Sequence, residues 1–378
     1  MGVEGPAHCA CGGSALGERH WAGAPPARSV TGMTSTAFVI GATGQIGRAA
    51  VRALAEDGWE VRAASRGGGA DEDWPEGVRP VRVDRADGAA LAAALGDGCD
   101  VLLDCVAYDA GDARQLLGLA DRIGSAVVIS SASVYEDEQG RGFDTQEEPD
   151  GFPRYPVPVP EECPTVAPGD ATYSTRKVAL ERELLAAGYR LPTTLLRAGA
   201  IHGPHSPALR ELWFIQRVLD RRPVRVLAWG GESRFSPASS ANIAELVRLA
   251  ARKPGSRVLN AVDPRTPTVA EIGAAIDAAM GWSCETVLVD GPPPVGQVGE
   301  TPWSTPYPLV FGMAGAEREL GYRAVTSYED SLPATIDWTL AALRKGDWRE
   351  VFPVLAQRAK TGGDPFDYAA EDNWLANR

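Results

Sequence analysis

Thr36-Ala37-Phe38-Val39-Ile40 runs without a break into Gly41-Ala42-Thr43-Gly44-Gln45-Ile46-Gly47, and an alanine-rich helical pattern follows from Arg48 to Asp57. A buried strand, a turn with three glycines and a helix N-terminus in that order make a phosphate cradle. The first glycine permits the tight turn and the second lets backbone approach a pyrophosphate. The third lets the helix pack closely on the strand, while the free N–H groups of the helix face the anion. Three glycines can fall by chance in an ordinary strand–turn–helix, but their placement between strand and helix points to dinucleotide binding. Gly41, Thr43, Gly44, Gln45, Ile46 and Gly47 are the expected cradle.

The next segments repeat the alternation. Strands are expected over 59–64, 78–83, 101–107 and from 126 to Ser130-Ser131, with helices over 88–95 and 116–123. Such alternation predicts an α/β fold, a doubly wound parallel Rossmann sheet with ligands at the strand C-termini. Residues 136–170 break the pattern, with seven prolines and ten acids against two arginines, and read as a long irregular loop, a lid or a disordered insert. A helix over 171–187 and a strand over 191–201 follow. Then come helices over 209–220, 242–251 and 269–280, with short strands over 224–228, 257–261 and 286–289. The expected organisation is an extension over 1–32 and a dinucleotide-binding domain over 33–198. Residues 199–345 would complete the sheet and form a smaller C-terminal α/β substrate lobe, and 346–378 an aromatic-containing tail.

Composition narrows the partners. A net charge of −13 supplies no basic footprint for nucleic acid or an anionic membrane, and no apolar run approaches the ~20 residues that span a bilayer. The cysteines are scattered without metal-ligand spacing; Cys99 and Cys105 read as buried thiols, so a reducing cytoplasm is expected and a metal is not. The first 32 residues carry no periodic apolar pattern and no signal-peptide core. His8, Cys9, Cys11 and His20 could be read as a metal cluster, but the segment is too glycine-rich to fix ligand geometry. A disordered extension, or Met33 as the true first residue, is expected instead.

Tyr173-Ser174-Thr175-Arg176-Lys177 places a phenol and an ammonium one helical turn apart. A neighbouring cation favours phenolate and is expected to lower the tyrosine pKa from about 10 toward the working pH. Only four of the 37 Lys and Arg residues are lysines, so Lys177 stands where arginine is the habit of this chain. A compact ammonium suits a ribose hydroxyl better than a guanidinium fork does.

With Ser130-Ser131-Ala132-Ser133-Val134-Tyr135 and the Asp84 after the third strand, these features resemble the extended short-chain dehydrogenase/reductases, the NAD-dependent epimerase/dehydratase superfamily. Leu196-Arg197, Gly203-Pro204 and Leu320-Gly321-Tyr322 add to the resemblance, which spans roughly 36–338. It implies that Ser131 polarises the reacting carbonyl or hydroxyl and that Tyr173 exchanges the proton. Lys177 would hold the nicotinamide ribose and tune Tyr173, and Asp84 would contact the adenine, with Arg85, Val106 and Ala107 alongside. Members that act on sugar nucleotides make Ser133 and Arg234 expected substrate contacts, with Arg210, Arg217, Arg221 and Arg222 as further arginines of that half. A homodimer through the helix bearing Tyr173 is also implied.

Three departures refine the expectation. Ser65-Arg66 ends the second strand where an NAD-preferring member carries an acid, and suits a ribose 2′-phosphate, so NADP(H) is favoured over NAD(H). Ala132-Ser133 replaces the Asp-Glu pair of sugar dehydratases, so water elimination lacks its acid and base. Arg197 is followed by Ala198 in place of the common proline. NADPH-linked reduction of a carbonyl on a sugar-like or secondary-metabolite small molecule is the leading expectation. A nucleotide-sugar epimerase with tightly held NAD is the first alternative, and a non-catalytic dinucleotide-sensing or RNA-associated relative the second.

Overall fold

β1 (Thr36–Ile40), the strand that feeds the glycine loop, lies inside a seven-stranded parallel sheet in the computed structural model, which describes residues 34–378 except position 73. The expectations for residues 1–32, for His8, Cys9, Cys11 and His20, and for Met33 concern positions outside the described residues. Along the chain follow α1 (Gln45–Glu56), β2 (Glu60–Ser65), β3 (Arg79–Arg82), α2 (Gly88–Leu95), β4 (Cys99–Asp104), α3 (Ala110–Leu117), β5 (Ile123–Ser131) and α4 (Tyr173–Ala186). Next come β6 (Thr193–Ala198), β7 (Ala200–His202), α5 (Leu212–Leu219), β8 (Val224–Leu227), β9 (Pro237–Ser239), α6 (Ser240–Arg252) and β10 (Arg257–Ala261). The rest comprises α7 (Val269–Met280), β11 (Glu285–Leu288), α8 (Ala314–Leu320), α9 (Tyr328–Leu343), α10 (Trp348–Val351), α11 (Pro353–Gly362) and α12 (Tyr368–Ala376).

The strand order is β10-β6-β5-β4-β1-β2-β3. β1 pairs with β2 on one side and β4 on the other, so the order reverses beside β1 and opens a crevice at its C-terminal end. Both faces are covered, which is why the central strands are almost continuously apolar. One face packs Val39, Leu103 and Val127 against Val51 of α1 and Leu246 of α6; the other packs Phe38, Leu102 and Val128 against Leu91 of α2 and Leu180 of α4.

Three local features move element boundaries from where periodicity places them. The helix expected over 116–123 is instead α3, because the Asp109 carboxylate accepts the Gly111 and Asp112 N–H groups and starts it earlier. The strand expected to reach Ala107 stops at Asp104, whose side chain turns back to take the N–H groups of Val106 and Ala107 at 2.9 and 2.8 Å. The strand expected over 191–201 divides at Gly199. β6 stays in the main sheet, whereas β7 pairs with β9 outside it. A Cβ at 199 would lie 2.6 Å from the Ser236 oxygen and 2.7 Å from Val262 Cγ1, so only glycine passes through this gap.

Beyond the main sheet, β8 and β11 pair in parallel, and Trp213, Phe214, Ile272, Trp303 and Tyr328 form a separate core beneath α5, α7 and α9. The 136–170 segment carries no helix or strand but is firmly tied. The Tyr155 hydroxyl donates to the Tyr135 carbonyl at 2.7 Å, and Val159 is bridged to Phe311. Residues after 346 are helical, with Trp348 and Phe352 buried against Leu209 and Leu212. Arg217 and Arg222 of the α5 end pair with Glu371, which accounts for two arginines otherwise eligible for a substrate.

Candidate active site

The glycine loop sits at the crevice. Gly41 has φ +80°, and a Cβ there would meet Val106 Cγ1 at 2.8 Å. Gly44 caps α1 without a side chain, so no side chain takes up the N–H groups of its first turn. A Cβ on Gly47 would lie 2.2 Å from the Gly41 carbonyl oxygen, so α1 can approach the loop only through glycine. Gln45 reaches across the crevice, its Nε2 donating to the Gly203 carbonyl at 3.2 Å.

The far end of the crevice is built from α4. Thr172 and Thr175 form a capping box that starts the helix at Tyr173. Lys177, 5% exposed, points inward and donates to the carbonyls of Ala107 at 2.6 Å and Ile129 at 3.0 Å. Burial lowers its pKa to about 8, against the attraction of Asp104, Glu181 and Asp112. Its Nζ lies 5.8 Å from the centre of the Tyr173 ring.

Tyr173 opens into the cleft with 44% of its surface exposed. Its pKa is raised rather than lowered: the surrounding cleft wall desolvates the phenol, the neighbouring Ser131 hydroxyl draws it back, and Tyr108 pushes it up again. The cation one turn away, its Nζ 5.8 Å from the ring centre and turned onto the Ala107 and Ile129 carbonyls, does not reverse this. Ser131 Oγ also accepts the Ser133 N–H at 3.1 Å, which fixes the serine at the end of β5. Ser131, Tyr173 and Lys177 thus line one cavity of about 590 Å³ together with Gln45, Ser133 and Arg210.

The family model described as the NAD dependent epimerase/dehydratase family matches residues 37–261. The chain belongs to that family. No curated protein matches it by sequence. Among solved structures it is similar to the UDP-N-acetylglucosamine 4-epimerase of Methanobrevibacter ruminantium M1, solved with UDP-N-acetylmuramic acid, at 19% identity and TM-score 0.61 over 82% of this chain and 99% of that one. The UDP-glucose 4-epimerase of Thermotoga maritima, solved with UDP-glucose, gives the same identity, TM-score and coverage. MoeE5, solved with UDP-glucose and NAD, gives 20% identity and TM-score 0.59 over 82% of this chain and 99% of that one.

The epimerase/dehydratase fold places the remaining candidates as follows. Ser65 Oγ accepts the Gly68 N–H at 3.0 Å, and Arg66 beside it is exposed. Asp84 is exposed and caps Ala86. Arg85 is buried, and its guanidinium grips Asp104 at 2.8 Å, Asp112 and Gln115, so it holds the loop that carries Val106 and Ala107. Arg234 is exposed and stands apart from the residues lining the cavity, its backbone bridged to Thr268. The Ser133 Oγ is buried in the cavity wall with no hydrogen-bond partner among the described residues.

Sequence reasoning missed two contributors. Asp144, from the 136–170 segment, accepts hydrogen bonds from Thr172 Oγ1 at 2.6 Å and Ser174 Oγ at 2.9 Å, latching that segment to the start of α4. Arg358, from α11, reaches the same cavity from the far end of the chain. Neither carries a local signal, since each is defined by what it meets in space.

Proposed function

We propose that the chain is an NAD(P)-dependent epimerase of a sugar-like small molecule, oxidising a secondary alcohol and returning the hydrogen to the same carbon from the other face. The observation that carries this reading is the Tyr173 phenol, which shares with Ser131 a cavity that holds no Asp-Glu pair after the serine. Epimerisation by this route needs one proton-exchanging group and room for the substrate to turn over, both of which the cavity supplies. Net carbonyl reduction uses the same groups, but the structural neighbours named for their activity are epimerases of UDP-sugars, which favours inversion.

The residues present fit a nicotinamide dinucleotide: a loop that a Cβ at 41 or 47 would fill, and an uncapped helix start facing it. That group, when bound, supplies hydride acceptance and donation. Gly41 to Gly47 would hold its pyrophosphate, and Asp84 its adenine end. Lys177, anchored on Ala107 and Ile129, would offer its remaining N–H to the ribose near Tyr173. Tyr173, reacting as the phenolate, would take the hydroxyl proton as the substrate carbon loses hydride and, as the phenol so formed, give it back on return, while Ser131 steadies the oxygen through both steps. The unpartnered Ser133 hydroxyl is a ready contact for a second substrate hydroxyl.

Ser65-Arg66 supports a second feature, preference for a 2′-phosphorylated cofactor. The test is direct. Protein as purified is denatured and the released cofactor identified, and candidate sugar nucleotides are followed by NMR for inversion at a single carbon. Bound cofactor with Tyr173-dependent inversion is expected. NADPH-consuming reduction without inversion would replace the reading.

A further inference from the structure

A second cavity, of about 290 Å³, adjoins the catalytic one and shares Ala208, Arg210 and Arg358 with it. Its walls are mainly apolar: Leu212 and Trp213 of α5 on one side, and Trp348, Leu355 and Phe366 of the C-terminal segment on the other. α10 and α11 therefore do more than pack on α5; they enclose a compartment that opens onto the cleft holding Tyr173.

Between the two compartments stand the guanidinium groups. Arg210 lies over the faces of Phe235 at 5.6 Å and Trp303 at 5.5 Å, and among the described residues it has no hydrogen bond and no ion pair. Burial lowers its pKa, and the nearby Arg358 pushes in the same direction. A half-buried guanidinium with five donors and no protein acceptor is open to an anion, and the second arginine at the same opening strengthens that attraction. Glu211, its neighbour in sequence, attracts it and makes no hydrogen bond to it; Glu211 Oε1 accepts the Tyr328 hydroxyl at 3.2 Å. Glu300 in the apolar wall is pushed by burial up to about 7, so near neutral pH it presents only part of a charge against an anion.

We infer that the substrate carries an anionic group, bound between Arg210 and Arg358, and beyond it an apolar ring or chain that fills the compartment closed by the C-terminal helices. The inference rests on reading the Tyr173 cleft as the catalytic one, and it separates this chain from a pocket built for a polar nucleoside.

Fluorescence titration of the full chain, with NAD and NADP saturating so that the cofactor cradle is filled, tests it. The probes are 8-anilinonaphthalene-1-sulfonate and N-phenyl-1-naphthylamine, the same rings without the anion. The sulfonate is expected to bind one per chain and at least about tenfold more tightly than the neutral probe. R358Q, at an exposed position, should weaken the sulfonate at least about fivefold and leave the neutral probe unchanged. A359W, which fills the compartment, should remove both, with circular dichroism showing the fold retained. Equal affinity for the two probes, or binding untouched by A359W, overturns the inference. So does displacement of the dye by uridine diphosphate, which would put a nucleotide in the compartment. Absence of Tyr173-dependent chemistry would instead remove the catalytic reading of the cleft while the dye results stood.

Discussion

Lys177 Nζ donates to the Ala107 carbonyl at 2.6 Å, so α4 is pinned through one buried ammonium to the loop that follows β4. Its folded pKa of about 8 lies below the ordinary value of 10.5 because burial disfavours the charge. Between those two values the unfolded chain binds the proton that the folded chain has released, so this group's contribution to stability rises with pH there. Below about 8 the cost of the buried charge is present in full. Urea unfolding from pH 7 to 10.5 should show the wild type gaining on Lys177→Met across that window. A constant difference between the two would refute the assignment.

Tyr173→Phe removes only the phenolic oxygen of a side chain that is 44% exposed. Turnover should fall by about 10²–10⁴, the usual contribution of a positioned acid/base group. Cofactor binding and melting temperature should stay near wild type. A variant that keeps a tenth of its activity would show that another group moves the proton.

Gly47→Ala puts a methyl 2.2 Å from the Gly41 oxygen and 2.8 Å from the Ala42 Cα, both backbone atoms with no rotamer to yield. The loop must open or α1 must shift. A stability loss of about 1–3 kcal/mol is expected, together with loss of dinucleotide binding measured by calorimetry. Unchanged affinity would mean that the loop does not cradle the cofactor.

Asp263 receives His202 Nε2 at 2.6 Å, Asn242 Nδ2 at 2.7 Å and the Ser239 N–H at 2.8 Å. Burial raises its pKa, but these partners together hold it below the usual 3.8. Its contribution is therefore complete above about pH 4 and lost as pH falls through the folded value. Asp263→Asn should cost about 1.5–3 kcal/mol at neutral pH, and the gap to wild type should narrow in unfolding experiments on acidification. A gap of the same size at pH 3 would argue against this.

The parts of the molecule that obey local rules were legible in the sequence. Gly41, Gly44 and Gly47 answer to the turn and to one helix contact, and Tyr173 and Lys177 share a face through helical spacing alone. The doubly wound parallel sheet followed from alternation. What periodicity could not show was set by side chains folding back on the backbone, as Asp104 and Asp109 do, and by packing at Gly199. The direction of the Tyr173 shift was misread because spacing places a cation nearby without saying what else that cation binds. Arg358 was hidden for a simpler reason, since nothing around it in the chain refers to a cleft assembled from β5, α4 and the segment before α5.

Ser131 is in register with Ala198, the last residue of β6, and one residue later the chain passes through Gly199 into the sheet formed with β9. Ser131 and the wall of the smaller sheet are thus joined across a single strand pair and one tightly packed glycine. A linkage this short ties Ser131 to the packing of Gly199 against Ser236 and Val262, so the shape of the smaller sheet is carried directly to the serine.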